Sequence, residues 1–371
     1  MSYDIEIASH ARPDISMIAT WASEQGLVFE DGYIRRNSGH LFSVDGPFAA
    51  EADDLHEEAA AACLAPGWML TLSVPASAPK LAITRAKALA RAIASALDGS
   101  AVDLQTDARI WPRGTPKRVA ARRREERVDV VQLAWFLSID RWPAAPATLV
   151  RMLRTFAPEA LPRRYGRFEP PEHRFDPAAP DEFIAYARTE EGEDAFWLSS
   201  RPSFGGSWSM SDPHQGQARI VRIAVEFDGS VLADDPRWRE AVVQLFTTAA
   251  VELGAFFGAA QVDAGWIASA NNRLWSTAGA RHTAEYILRR REWRGLPPLP
   301  MWLSWFGPPY RDLVAPALGA RAETHVDGIT LRLGDLPQPP AKLGDWPVPE
   351  DLTYRGPRDA AVIPDLATPQ P

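Results

Sequence analysis

The stretch that decides the fold runs from Ile220-Val-Arg-Ile-Ala-Val-Glu-Phe227 through Asp234-Asp-Pro-Arg-Trp238 and on to about Phe257. Its first part has the best strand pattern in the chain. Its second part opens a long helix, with acidic residues and Pro236 at the first turn, where free backbone N–H groups and the helix dipole favour them. Gln261 to Ile267 then supplies a further strand. Strand, proline-marked turn, long helix and strand are the parts of a split βαβ unit.

Upstream, Val130-Val-Gln-Leu-Ala-Trp-Phe-Leu137 is a near-continuous apolar strand, fit for a sheet interior. Residues 147–156 and 181–187 are patterned as helices, and 195–198 and 328–333 as strands. The N-terminal region repeats the order. Tyr3-Asp-Ile-Glu-Ile-Ala8 alternates as a strand, and Asp14 is placed to cap a short helix through Ile18, Ala19 and Trp21. An Asp31-Gly32 pair between apolar residues signals a hairpin. Residues 68–74 form another strand, followed by a helix over 81–97 that keeps Ile83, Ala86, Ala90, Ile93 and Leu97 on one face. Asp98-Gly99 stops it. The sequence thus predicts an α+β fold of two units, 1–112 and 128–337. Each is a mixed or antiparallel sheet with helices packed on one face, in a split βαβ-like arrangement. Residues 113–127 read as a charged, solvated connector, with a nucleic-acid or acidic-partner patch as the alternative. Residues 338–371 read as a proline-rich tail, extended on the surface or disordered.

Composition bounds the function. Of 371 residues, 46% are hydrophobic, ample for a core, and the single cysteine, Cys63, excludes a disulfide framework and four-thiolate metal sites. A net charge of −8 argues against general nucleic-acid affinity, which needs a basic face. The longest apolar run, near 241–265, is broken by Gln244, Glu252 and Gln261, so no membrane span is expected. The N-terminus has neither the basic region nor the apolar run of a leader, and a cytoplasmic location follows as the expectation.

The sequence assigns no catalytic residue, metal or cofactor. Seven histidines form no His-x-x-x-His pair and no His-Glu-x-x-His motif. Glu323-Thr-His-Val-Asp327 reads as the wet side of an edge strand, with metal ligation or acid–base work as the alternative. Phe204-Gly-Gly-Ser-Trp-Ser209 lacks the second flanking glycine of a nucleophile elbow, which leaves Ser207 without its activating turn. Cys63 follows an alanine-rich helical run and reads as a small buried hydrophobe rather than a thiolate.

Aromatic and arginine chemistry is more conspicuous, with fourteen tryptophans in the chain. A proline-punctuated loop carries Arg163, Arg164 and Tyr165, and a second segment brings Trp302, Trp305 and Tyr310 together. Trp208 lies in the glycine-rich stretch. Such residues either fill a core beneath long loops or present hot-spot chemistry to a partner. These seven are the candidate binding residues.

Five features of the second region, over somewhat more than half the chain, resemble bacterial immunity-type proteins of type VI and other polymorphic toxin systems. They are the apolar strand, Leu161-Pro-Arg-Arg-Tyr-Gly166, Arg201-Pro-Ser-Phe-Gly-Gly206, Asp235-Pro-Arg-Trp238 opening a long helix, and the Leu-Pro stretch ending in Trp-x-x-Trp-Phe-Gly307. The resemblance implies a non-catalytic protein that binds and blocks a cognate toxin, with no fixed catalytic residues. An acidic chain would suit a basic partner. The alternative is an enzyme or small-molecule binder with a pocket between the two regions, drawing on Arg164, Trp208, Trp302 and Trp305, with Ser207, Glu169 or His325 for chemistry.

Overall fold

The computed structural model describes residues 3–36, 39–50, 54–63, 66–112, 126–168, 171–210, 219–268, 274–276, 293–354, 361 and 363–364. The chain divides into two compact units, Met1–Arg124 and Glu125–Pro371. Most of the connector, including Lys117 and Arg118, lies outside the described residues. Glu126 and Arg127 already belong to a strand.

Unit 1 runs β1 (Tyr3–Ser9), α1 (Ile15–Glu24), β2 (Val28–Glu30), β3 (Tyr33–Arg36), β4 (Gly39–Ala49), α2 (Glu57–Ala62), β5 (Trp68–Val74), α3 (Lys80–Ala96), β6 (Ser100–Asp103) and β7 (Ala108–Trp111). Local chemistry sets the joints. The Asp14 carboxylate accepts from the Ser16 amide and starts α1. Asp31 and Gly32 both take positive φ, the geometry of the two-residue turn joining β2 to β3. The seven strands are ordered β2-β3-β4-β5-β1-β6-β7, every neighbour antiparallel. Ile5, Ile7, Leu70 and Leu72 face the apolar stripes of α1 and α3, and α2 covers a smaller cluster with Ala8, Met69 and Cys63.

Unit 2 begins with β8 (Glu126–Ser138), α4 (Ala145–Phe156), β9 (Arg164–Gly166), β10 (His173–Arg174), α5 (Asp181–Tyr186), β11 (Ala195–Leu198), β12 (Ser203–Met210) and β13 (Ile220–Asp228). It continues with α6 (Gly229–Asp234), α7 (Pro236–Glu252), β14 (Phe257–Ala268), β15 (Leu274–Ser276), β16 (Leu303–Phe306), α8 (Tyr310–Leu318), β17 (Ala322–His325) and β18 (Gly328–Arg332). The sheet order is β10-β9-β11-β12-β13-β8-β14-β16-β18-β17, with β15 on β14.

The two units repeat one strand arrangement. In unit 1 it is β4-β5-β1-β6 and in unit 2 β12-β13-β8-β14. In each, the first strand lies between two later strands joined through a 17-residue helix, α3 or α7. This is the expected split βαβ, and the fold is α+β. Alternation along β8 explains the layers of unit 2. Val131, Leu133, Trp135 and Leu137 point to α4 and α7, whereas Ala134 and Phe136 point to a second cluster with Trp293, Tyr310 and Leu352.

Two expectations are corrected. The long helix ends at Glu252 rather than near Phe257, because Gly254 adopts φ +63 and turns the chain into β14. The described part of the tail is not loose. Val348, Leu352 and Tyr354 are buried, and a bridge pairs Thr353 with Leu296.

Candidate functional site

Six of the seven candidate side chains lie inside unit 2. Arg164 and Tyr165 are buried on β9, Trp208 on β12, Trp302 and Trp305 at β16, and Tyr310 in the first turn of α8. The polar atoms of the three tryptophans and of Tyr310 are used internally. The indole N–H of Trp305 donates to the Ala255 carbonyl at 2.8 Å, that of Trp208 to the Gly192 carbonyl, and that of Trp302 to the Gly334 carbonyl at 3.3 Å. The Tyr310 hydroxyl accepts from Trp293 at 2.9 Å, and burial pushes its pKa up to about 12. Flanking glycine and proline hide the period of these segments, yet the rings occupy inward-facing positions. Only Arg163 among the seven is exposed.

The structure does bring Tyr165 and Trp208 together. Phe183 stands edge-on to both, at 5.0 Å and 5.3 Å between ring centroids. The Tyr165 ring also stacks on His173 at 5.2 Å, and His173 lies 4.8 Å from Tyr186. This aromatic base supports the hairpin of β9 and β10, the end of the sheet. Arg164 Nε donates to the Pro171 carbonyl at 3.1 Å, and the Arg167 amide donates to Glu172 Oε2 at 3.1 Å. A Cβ at Gly166 would fall 1.5 Å from that same carboxylate oxygen and 2.8 Å from the Glu172 backbone nitrogen, so any larger residue would have to shift the clasp. On this frame Arg163, Arg167, His173 and Arg174 are exposed, and Phe168 is 67% exposed. Sequence reasoning placed Arg163 here and noted Phe168 in the same proline-punctuated loop, but carried neither Phe168 nor Arg174 into the candidate set.

A second polar group crosses the sheet face opposite α4 and α7. Glu226, Gln132 and Gln261 stand side by side on β13, β8 and β14. Gln132 Nε2 donates to Glu226 Oε1 at 2.9 Å, and Gln261 Nε2 donates to Asp263 Oδ2 at 3.1 Å. Arg222 lies four residues before Glu226 on β13, yet its Nη2 reaches Gln132 Oε1 at 2.6 Å. The side chain therefore passes above Ala224 and Ala134, small residues in register between the two levels. Burial lowers the guanidinium pKa, opposed by the charges of Glu226 and Asp263.

The other sequence candidates stay apart from both places. His325 bonds the Thr330 hydroxyl at 3.0 Å on the β17–β18 hairpin, next to exposed Glu323. Cys63 is buried, which raises its thiol pKa, with the Asp98 charge adding to the effect. Glu169 lies outside the described residues. Among the described residues, no group of three His, Cys, Asp or Glu side chains is placed to hold a metal ion, and no helix is long and apolar enough to cross a membrane.

No protein-family model and no curated protein matches the sequence. Among solved structures, the chain is similar to a T6SS protein of Pseudomonas aeruginosa at 12% identity and a TM-score of 0.37. That likeness covers 56% of this chain and 65% of the other, just short of two thirds of its length. A second likeness is to an unknown protein from Galdieria sulphuraria, at 12% identity and a TM-score of 0.19, covering 70% of this chain and 96% of that one. Both are too distant to carry a function across.

Proposed function

We propose that this chain is a non-catalytic protein-binding protein of the immunity or antitoxin type, and that it docks its partner through the hairpin of β9 and β10. One observation carries the reading: Phe168 stands 67% exposed among the exposed arginines 163, 167 and 174, over a stacked aromatic base. A large ring beside arginines on a rigid support is the composition of an interface hot spot, because little side-chain freedom is lost on binding. The hairpin also changes the partner chemistry expected from net charge. The contact face is basic, so the partner surface presents carboxylates around an apolar socket.

The test is co-expression with the products of neighbouring genes, followed by tag purification. One such product should copurify in fixed ratio and, if harmful to the host, be neutralised. Replacing Phe168 by Ser and Arg167 and Arg174 by Glu should weaken capture at least tenfold, about 1.4 kcal/mol, while the thermal midpoint holds. Capture indifferent to these changes, or no captured neighbour, would sink the proposal.

A further inference from the structure

Beyond the docking hairpin, we propose that Arg222, with the Ser207 and Ser209 hydroxyls beside it, binds a small carboxylate on the face of the unit 2 sheet opposite α4 and α7.

Arginine carries five N–H donors in a planar fork. Among the described residues, Arg222 uses its fork for one bond, Nη2 to the neutral amide of Gln132 at 2.6 Å. Its Nε is buried and has no hydrogen-bond partner. A guanidinium held in a protein interior is ordinarily neutralised by a carboxylate in direct contact. Here a carboxylate of the network, Glu226, is bonded to the other end of the same amide, through Gln132 Nε2 at 2.9 Å. Gln132 thus bridges cation and anion, and among the described residues no carboxylate is hydrogen-bonded to the fork.

The neighbouring strand completes the place. Ser209 pairs with Arg222 in register, and Ser207 pairs with Ala224, so both hydroxyls lie on the guanidinium's side of the sheet while Trp208 and Met210 turn to the core. Ser207, Ser209 and Arg222 are all half-buried, so solvent reaches the edge of the group. Ala224 and Ala134 keep the floor low. Ser207 is the residue that the sequence singled out and that had no activating turn; here it is a hydrogen-bond donor, and no nucleophile is needed.

The oxyanion is a carboxylate for two reasons. Its two coplanar oxygens match the guanidinium fork. The charges of Glu226 and Asp263 act on this guanidinium, and their field opposes the two charges that phosphate concentrates on one group more strongly than the single charge of each carboxylate group.

The experiment titrates the full chain with sodium acetate, succinate and phosphate against sodium chloride at matched ionic strength, reading the thermal midpoint and the heat of binding. Acetate and succinate should raise the midpoint above chloride. Arg222→Gln should abolish the rise, and Ser207→Ala with Ser209→Ala should weaken apparent affinity at least threefold. Substituting Phe168, Arg167 and Arg174 on the hairpin should leave it unchanged, which separates this site from the docking proposal. A poly-glutamate peptide that outcompetes succinate with the same Arg222 dependence would support the chemistry and place the carboxylate on a protein chain. Carboxylates that act like chloride, phosphate that binds as tightly as acetate, or a rise that survives Arg222→Gln would overturn the proposal. Should Arg222→Gln fail to fold, unchanged affinity in the double serine variant overturns it equally.

Discussion

At the scale of single residues, Gly205 and Gly206 explain why the glycine-rich stretch that fails as a nucleophile elbow is nonetheless glycine-rich. A Cβ on Gly206 would lie 2.3 Å from the Ala224 carbonyl oxygen and 2.3 Å from the Trp197 ring. The ring of Trp197 rests on bare backbone. Gly206→Ala should therefore cost about 2 kcal/mol in urea unfolding, the overpacking range; a loss within about 0.5 kcal/mol would show that the ring has room. Asp103 in unit 1 makes a second test. It is buried, with Lys87 Nζ at 2.8 Å and the Tyr3 hydroxyl donating to it. Burial raises its pKa, but hydrogen bonds from Lys87, Tyr3 and Thr106 and the Lys87 charge outweigh this and hold it below the ordinary value. A carboxylate depressed in this way contributes stability above its unfolded pKa, about 4, and loses it as pH falls through the lower folded value. Asp103→Asn should remove about 2 kcal/mol at neutral pH, as expected for hydrogen bonds to a charged group. It should also flatten the decline of stability below about pH 4, read from urea unfolding across a pH series.

At the scale of elements, what could be read from sequence depended on periodicity. β1 and β5 alternate as strands do, β8 and β13 are apolar runs of strand length rich in β-branched residues, and α3 shows its buried stripe at three- and four-residue steps. The hairpin of β9 and β10 has no period, because its strands are three and two residues long and prolines interrupt them. Nothing in that run distinguishes buried Tyr165 from exposed Phe168; the distinction comes from pairing with β11. Arg222 was equally illegible, since a strand pattern gives the face of a side chain but not its reach across two alanines. The segment after β18 was misread for a related reason. Proline and charge dominate its composition, while Leu343, Trp346, Val348, Leu352 and Tyr354 do the packing. Leu352→Ala should cost about 3 kcal/mol, since it empties a contact with the Trp293 and Tyr310 cluster. Calorimetry on the single variant reads this directly, and a midpoint unchanged from the parent would return the segment to the surface.

At the scale of the molecule, each unit encloses its own clusters: one set holds Ile5, Leu89 and Met69, the other Trp135, Phe246 and Trp293. Two separately enclosed cores should melt as two transitions, with Asp103→Asn lowering one and Leu352→Ala the other. A single transition lowered equally by both changes would show the cores to be coupled. The shared strand order has a further consequence, for synthesis. β8 is the middle strand of unit 2, flanked by β13 and β14, yet it leaves the ribosome first. Its partners follow about a hundred residues later, roughly 10 s at ordinary elongation rates. For that interval one of the most apolar segments in the chain has neither of its neighbours. Until β13 and β14 emerge, both edges of this strand are open to pairing with another chain.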